Sequence, residues 1–130
     1  LNQNNKISNS KRILRVDGLL MASAVNINLI EKILELGPYG NSFEEPLFIF
    51  PGHRINNLVI LKNQHLKFSI QDENNYKLDT ISFRSYGFPL GDFICENVYK
   101  KINFLGRLSL NKWGANIRPQ LIIDDASIIQ

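Results

Sequence analysis

This chain is poor in the residues that staple a protein or anchor it in a membrane. Its 130 residues include one cysteine, Cys95. That excludes an intramolecular disulfide framework and any cysteine-based zinc cluster. The longest apolar stretches, such as Leu121-Ile122-Ile123, run only a few residues, far short of the ~20 that span a bilayer. No signal-peptide layout is present, so we expect a reducing, cytoplasmic setting and no membrane partner. Histidine is scarce too. His53 and His65 have no carboxylate within a few positions, and no metal-ligand or nucleophile–base constellation is visible. The chain opens on Leu1 and not on Met, as expected of a piece of a longer polypeptide.

What remains is ordinary globular material. Hydrophobic residues make up 44% and charged ones 21%, enough for one domain with its own core. The surplus of Asn (16) and Ile (17) beside Lys matches A/T-rich codons and carries no functional message. Net charge is +3, unevenly spread. Residues 1–16 carry Lys6, Lys11, Arg12 and Arg15 with no acid, residues 17–36 sum to −2, and residues 37–130 sum to +1. A body this close to neutral grips a polyanion only through a local patch.

Hydrophobic periodicity divides the chain. Residues 1–12 are polar and aperiodic, as in a loose arm. Leu29, Ile30, Ile33 and Leu34 fall on one helical face, with Asn28 and Glu31 placed as a capping pair and Gly37-Pro38 as the stop. Residues 1–36 are therefore expected to be an arm, a short strand and a helix, and residues 37–46 a linker. From residue 47 the period becomes two. Leu47 to Phe50 is an apolar run closed by Pro51-Gly52. Ile55–Leu61, Leu66–Ile70 and Leu78–Arg84 then read as strands, the third with Ile81 and Phe83 as core residues. Pro89 with Leu90, Phe93 and Ile94 predicts a short helix, its apolar side burying Cys95. A fourth strand follows with Ile102, Phe104, Leu108 and Leu110 inward and Arg107 outward. Lys112 to Asn116 is a hairpin tip, and Leu121 and Ile123 anchor a fifth strand. Three strands, one helix and two strands over 47–130 predict a mainly β fold, a five-stranded Greek-key barrel of the OB type, its helix between strands three and four.

In that arrangement certain side chains are candidates for nucleic acid. Trp113 sits in the loop between strands four and five, where it either stacks on a base or folds back as a lid. Lys62, His65 and Lys67 flank the first hairpin. They contact phosphates, or form a solvated face with His65 fixing its own turn. Arg84, Arg107 and Arg118, from three strands, converge on one face or pair with Asp79, Asp92 and Glu96. Lys112 adjoins Trp113 at the hairpin tip. Asp124-Asp125 is an adjacent carboxylate pair, but without histidines it reads as a strand end and not a metal site.

Several stretches resemble one known family. Leu34 through Phe48 resembles the linker of RecJ, the bacterial single-stranded-DNA-specific exonucleases, matching at Gly37, Pro38, Tyr39, Gly40, Glu45, Pro46 and Phe48. Ser42, Phe43 and Glu44 stand where the family usually has Gly-Asn-Pro. Val16-Asp17-Gly18, His65-Leu66-Lys67, Ile81-Ser82-Phe83-Arg84, Gly106-Arg107-Leu108 with Asn111-Lys112-Trp113, and Gln120 to Asp125 also follow the family's order. The resemblance implies the OB-fold portion of a 5′-to-3′ exonuclease active in DNA repair and recombination. Its Mn²⁺- or Mg²⁺-dependent catalytic motifs belong to domains outside this chain, so this piece is expected to be non-catalytic and free of cofactor. The implied partners are single-stranded DNA, the RecJ catalytic core and other repair proteins. Two roles stay open: a weak single-strand-binding module, or a structural barrel that closes the exonuclease ring and docks partners. The first leads; balanced charge, the aromatic- and proline-containing linker and an exposed Ile122 support the second.

Overall fold

The computed structural model describes residues 16–35 and 45–128. The loose arm, and the linker roles of Gly37, Pro38, Tyr39 and Phe43, lie outside the described residues. The elements run β1 (Gly18–Leu19), a 3-10 turn (Ala22–Ala24), α1 (Ile27–Glu35), β2 (Phe48–Leu61), β3 (His65–Gln71), β4 (Lys77–Ser82), α2 (Pro89–Glu96), β5 (Lys101–Trp113) and β6 (Asn116–Ile128). Strands β2-β3-β4-β6-β5 pair in that order and β5 returns to β2, closing a five-stranded barrel. The β4–β6 pairing is parallel and the other four are antiparallel, so the chain forms the OB-type barrel that the strand order predicts. β1 adds a short parallel strand beside β2.

β2 is one strand of 14 residues, not a short run followed by another. Pro51-Gly52 bends it through a bulge between Phe50 and His53 without ending it. Gly52, at φ 66°, takes the turn, and its N–H donates to Asn103 Oδ1 at 3.0 Å. The bend lets the first half of β2 pair with β5 and the second half with β3. A bulge in β6 leaves Asp124 unopposed between Ile123↔Gly106 and Asp125↔Leu105. Asp124-Asp125 thus sits at a bulge inside β6, before the strand's end.

Phe50, Phe68, Ile55, Leu66, Ile70, Ile102, Phe104 and Leu121 fill the barrel, and Ile94 of α2 packs among them. Leu90 and Phe93 flank it as their spacing predicts. Gly91 and Gly106 are held to glycine by close approach, because a Cβ would strike the carbonyl oxygens of Ser85 and Ile122.

Four further expectations are corrected. β4 points Leu78, Thr80 and Ser82 inward, opposite Ile70, Phe68 and Leu66, so Phe83 falls outside and is 53% exposed. Ile81 shares the outer phase but is covered, next to Lys67 and Ile122. Pairing register, and not local apolarity, sets which face is buried. Cys95 is exposed, since α2 turns only Leu90, Phe93 and Ile94 to the barrel. The cap of α1 is Asn26, whose Oδ1 accepts from Leu29 N–H at 2.8 Å; Asn28 lies inside the helix. Ile122, expected to be exposed, is half-buried.

Residues 16–35 dock on the barrel. Ala22 belongs to its core. The buried His53 accepts the Ala22 N–H on Nε2 at 3.0 Å and places Nδ1 2.9 Å from the Pro51 carbonyl, which fixes the proton on Nδ1. Asp72, also buried, accepts Ser23 N–H on Oδ2 and the Asn74 and Tyr76 N–H groups on Oδ1. Burial lowers the His53 pKa, opposed by the Pro51 carbonyl and the Asp72 charge. Burial alone would raise the Asp72 carboxyl, but the N–H groups of Tyr76, Ser23 and Asn74 outweigh it and hold it below the usual range.

Candidate nucleic-acid interface

Alternation along the strands places Lys67, Ile81, Ile122 and Arg107 in one row across the outside of the barrel. Ser69, Asp79, Gln120 and Ser109 form the next row. Trp113 lies six residues beyond Arg107 on β5, roughly 20 Å along the strand, on the same face. The outer surface therefore has a β2–β3 hairpin end, near Lys67, and a β5–β6 hairpin end, near Trp113.

The candidates divide between these ends. Lys62 lies in the β2–β3 tip and His65 opens β3. Arg84 lies in the turn after β4, and its backbone N–H donates to His65 Nδ1 at 2.9 Å. His65 thus holds the turn of a neighbouring strand and not its own. Its ring meets Phe83 edge-on, centroids 5.4 Å apart. Lys62, Lys67 and Arg84 have no carboxylate within 4.0 Å among the described residues.

Arg107 and Arg118 are differently placed. Arg107 pairs with Glu45 at 2.9 Å and with Asp124 at 3.5 Å. Arg118 pairs with Asp79 at 3.1 Å. Asp92 and Glu96, the other proposed partners, take neither. Lys112 is exposed beside the tip but opposite Ile117, on the face away from Trp113. The Trp113 ring is 78% exposed and does not fold back as a lid. The three arginines therefore do not converge.

The hairpin end near Lys62 carries residues that the sequence reading passed over. Phe83, Tyr86 and Phe88 are all exposed, and Asn63, Gln64, Arg84, Tyr86 and Phe88 line a groove of about 260 Å³. The signal was there in Phe83-Arg84-Ser85-Tyr86-Gly87-Phe88, aromatics interleaved with a cation and a glycine ahead of Pro89. Assigning Phe83 to the core hid it. Lys62, Asn63 and Arg84 all take left-handed backbone, at φ 53°, 54° and 54°. For Lys and Arg this conformation costs on the order of 1 kcal/mol; at Lys62 and Asn63 it makes the hairpin turn that Gln64 N–H closes on the Leu61 carbonyl at 2.9 Å. Free cations, open aromatic faces and a concave wall together suit phosphates and unstacked bases.

Nothing in the described residues assembles three or more His, Cys, Asp or Glu into a metal cluster. No described helix is long and apolar enough to cross a membrane.

A family model described as the RecJ OB domain matches residues 16–125. The single-stranded-DNA-specific exonuclease RecJ of Salmonella typhimurium is 28% identical over 113 residues, covering 84% of this chain and 18% of that protein. RecJ of Thermus thermophilus in complex with Mn²⁺ superposes with a TM-score of 0.67 at 18% identity, over 95% of this chain and 18% of that one. The same protein in complex with Mg²⁺ gives 0.61 at 18% identity, over 95% and 19%. These superpositions show a shared fold. The chain thus spans about a fifth of the length of the relatives it matches. With the family model covering most of the chain, including the docked segment from Val16, this protein belongs to the RecJ OB-domain family.

Proposed function

We propose that this chain is the single-strand-holding barrel of a RecJ-type exonuclease, a weak, non-catalytic DNA-binding module that keeps a strand near a nuclease core carried elsewhere in the polypeptide. One observation carries the reading: Lys62, Lys67 and Arg84, free of carboxylate partners among the described residues, lie at the same end of the outer face as the exposed rings of Phe83, Tyr86 and Phe88. In this reading, metal-dependent hydrolysis with Mn²⁺ or Mg²⁺ belongs to that core. DNA repair and recombination in the cytoplasm is the setting that fits such an enzyme.

Affinity is set by few charges. Three phosphate contacts give a salt slope of about −2 on a single strand and a Kd in the micromolar range or weaker. Fluorescence anisotropy with an oligo-dT probe at low and moderate salt tests this. Micromolar, salt-dependent binding supports the module. Tight, salt-insensitive binding contradicts the auxiliary role.

A second reading, a brace that closes the exonuclease ring and docks partners, draws on Val59, Ile60 and Leu61, three consecutive exposed apolar residues ending β2. No oligonucleotide binding, combined with loss of activity when the domain is deleted from the full enzyme, favours it.

A further inference from the structure

We propose that the groove between the β2–β3 tip and the β4–α2 loop is a pocket for one unpaired nucleobase, stacked on Phe88 and Tyr86, with Arg84 on the adjoining phosphate. This deepens the reading above and rests on it. The volume is the first argument. About 260 Å³ falls just below the ~300–1,000 Å³ of clefts for drug-sized ligands, which suits a single flat base better than a larger cofactor.

Composition is the second. The walls pair two open rings with a guanidinium that has no carboxylate partner among the described residues. The side-chain amides of Asn63 and Gln64 also have no partner among the described residues, leaving donors and acceptors free for a base edge. A protein surface docking here would have to cover the Arg84 charge and both amides. A nucleotide satisfies all three.

Preorganisation is the third. The two loops are tied across the groove by Tyr86 N–H to the Gln64 carbonyl at 3.0 Å and by Arg84 N–H to His65 Nδ1 at 2.9 Å. Phe88 N–H donates to the Ser85 carbonyl at 3.0 Å, holding the backbone that carries the ring just ahead of α2. The backbone of both loops is held before a ligand arrives, which reduces the ordering cost of binding. His65 is a positioning residue for this pocket.

The test separates base from phosphate. Anisotropy is measured with a labelled oligo-dT and with an abasic oligomer of equal length, which keeps the phosphates. The intact chain should bind the abasic strand at least about fivefold more weakly, the lower range of stacking on an aromatic. Phe88→Ala and Tyr86→Ala should each shrink that difference, Phe88→Trp should preserve it, and Trp113→Ala should leave it unchanged. Both truncated side chains are exposed, and thermal melts confirm that the variants fold. Equal affinity for the two oligomers overturns the pocket while the phosphate-binding reading survives. A base dependence removed by Trp113→Ala instead moves the site to the other hairpin and overturns the pocket too. Failure of both oligomers to bind overturns both readings.

Discussion

Two regions of the outer face use the same residue types for opposite purposes. Across the face, on β5 and β6, Arg107 and Arg118 are tied to Glu45, Asp124 and Asp79. On that side of the barrel α1 approaches Pro119, and His53 and Asp72 clamp the segment around Ala22 and Ser23. Charge there is spent on architecture. At the β2–β3 end, Lys62, Lys67 and Arg84 stand without carboxylates among the described residues, beside open rings. A basic residue therefore says little about ligand binding until its acidic neighbours are known. The net +1 of residues 37–130 does not tell which of the cations are paired.

The largest contrast expected is in stability. Asp72→Ala strips the acceptor from three backbone N–H groups and should cost about 3 kcal/mol, read as a shift in the urea midpoint, with oligonucleotide affinity unchanged. Acid should do the same by steps. His53 is held neutral in the fold, its pKa below the unfolded ~6.5, so its contribution is full above that value and is lost as pH falls through the folded pKa. Asp72, also lowered, contributes above the unfolded ~3.9 and is lost as pH falls through its own folded pKa. Melting temperature should therefore decline from below about pH 6.5 and again in the carboxylate range. His53→Gln should flatten the first step, and a wild-type curve flat from about pH 7 to 5, across the ordinary histidine range, would break the clamp account.

A smaller contrast separates the cations. Lys62→Ala with Arg84→Ala should weaken oligo-dT binding by about tenfold at low salt, the ~1.5 kcal/mol of one charge-assisted hydrogen bond, and reduce the salt slope by about 1.4. Arg107→Ala with Arg118→Ala should change affinity by less than about twofold and, for exposed pairs, stability by ~1 kcal/mol or less. Comparable losses from the two double variants would erase the distinction between the two regions.

The fold was largely legible because the barrel writes its alternation into the sequence. Leu66, Phe68 and Ile70 between polar neighbours, and Pro89 ahead of Leu90, Phe93 and Ile94, each point to one element. β4 was not, because its inward positions hold Thr80 and Ser82 while apolar Ile81 and Phe83 face outward. Only pairing with β3 reveals that phase. That error carried into the site: placing Phe83 in the core concealed the aromatic loop through Phe88. Ion pairing was equally invisible. Arg107 reaches Glu45, 62 positions away, a partner that spacing along the chain does not suggest.

The most direct test is a two-dimensional NMR titration of the ¹⁵N-labelled chain with an oligo-dT strand. The account expects the amide shifts to concentrate at Lys62 to Lys67 and at Phe83 to Phe88, with Asn111 to Arg118 changing little. Shifts centred on the Trp113 hairpin, or none at saturating oligonucleotide, would contradict it.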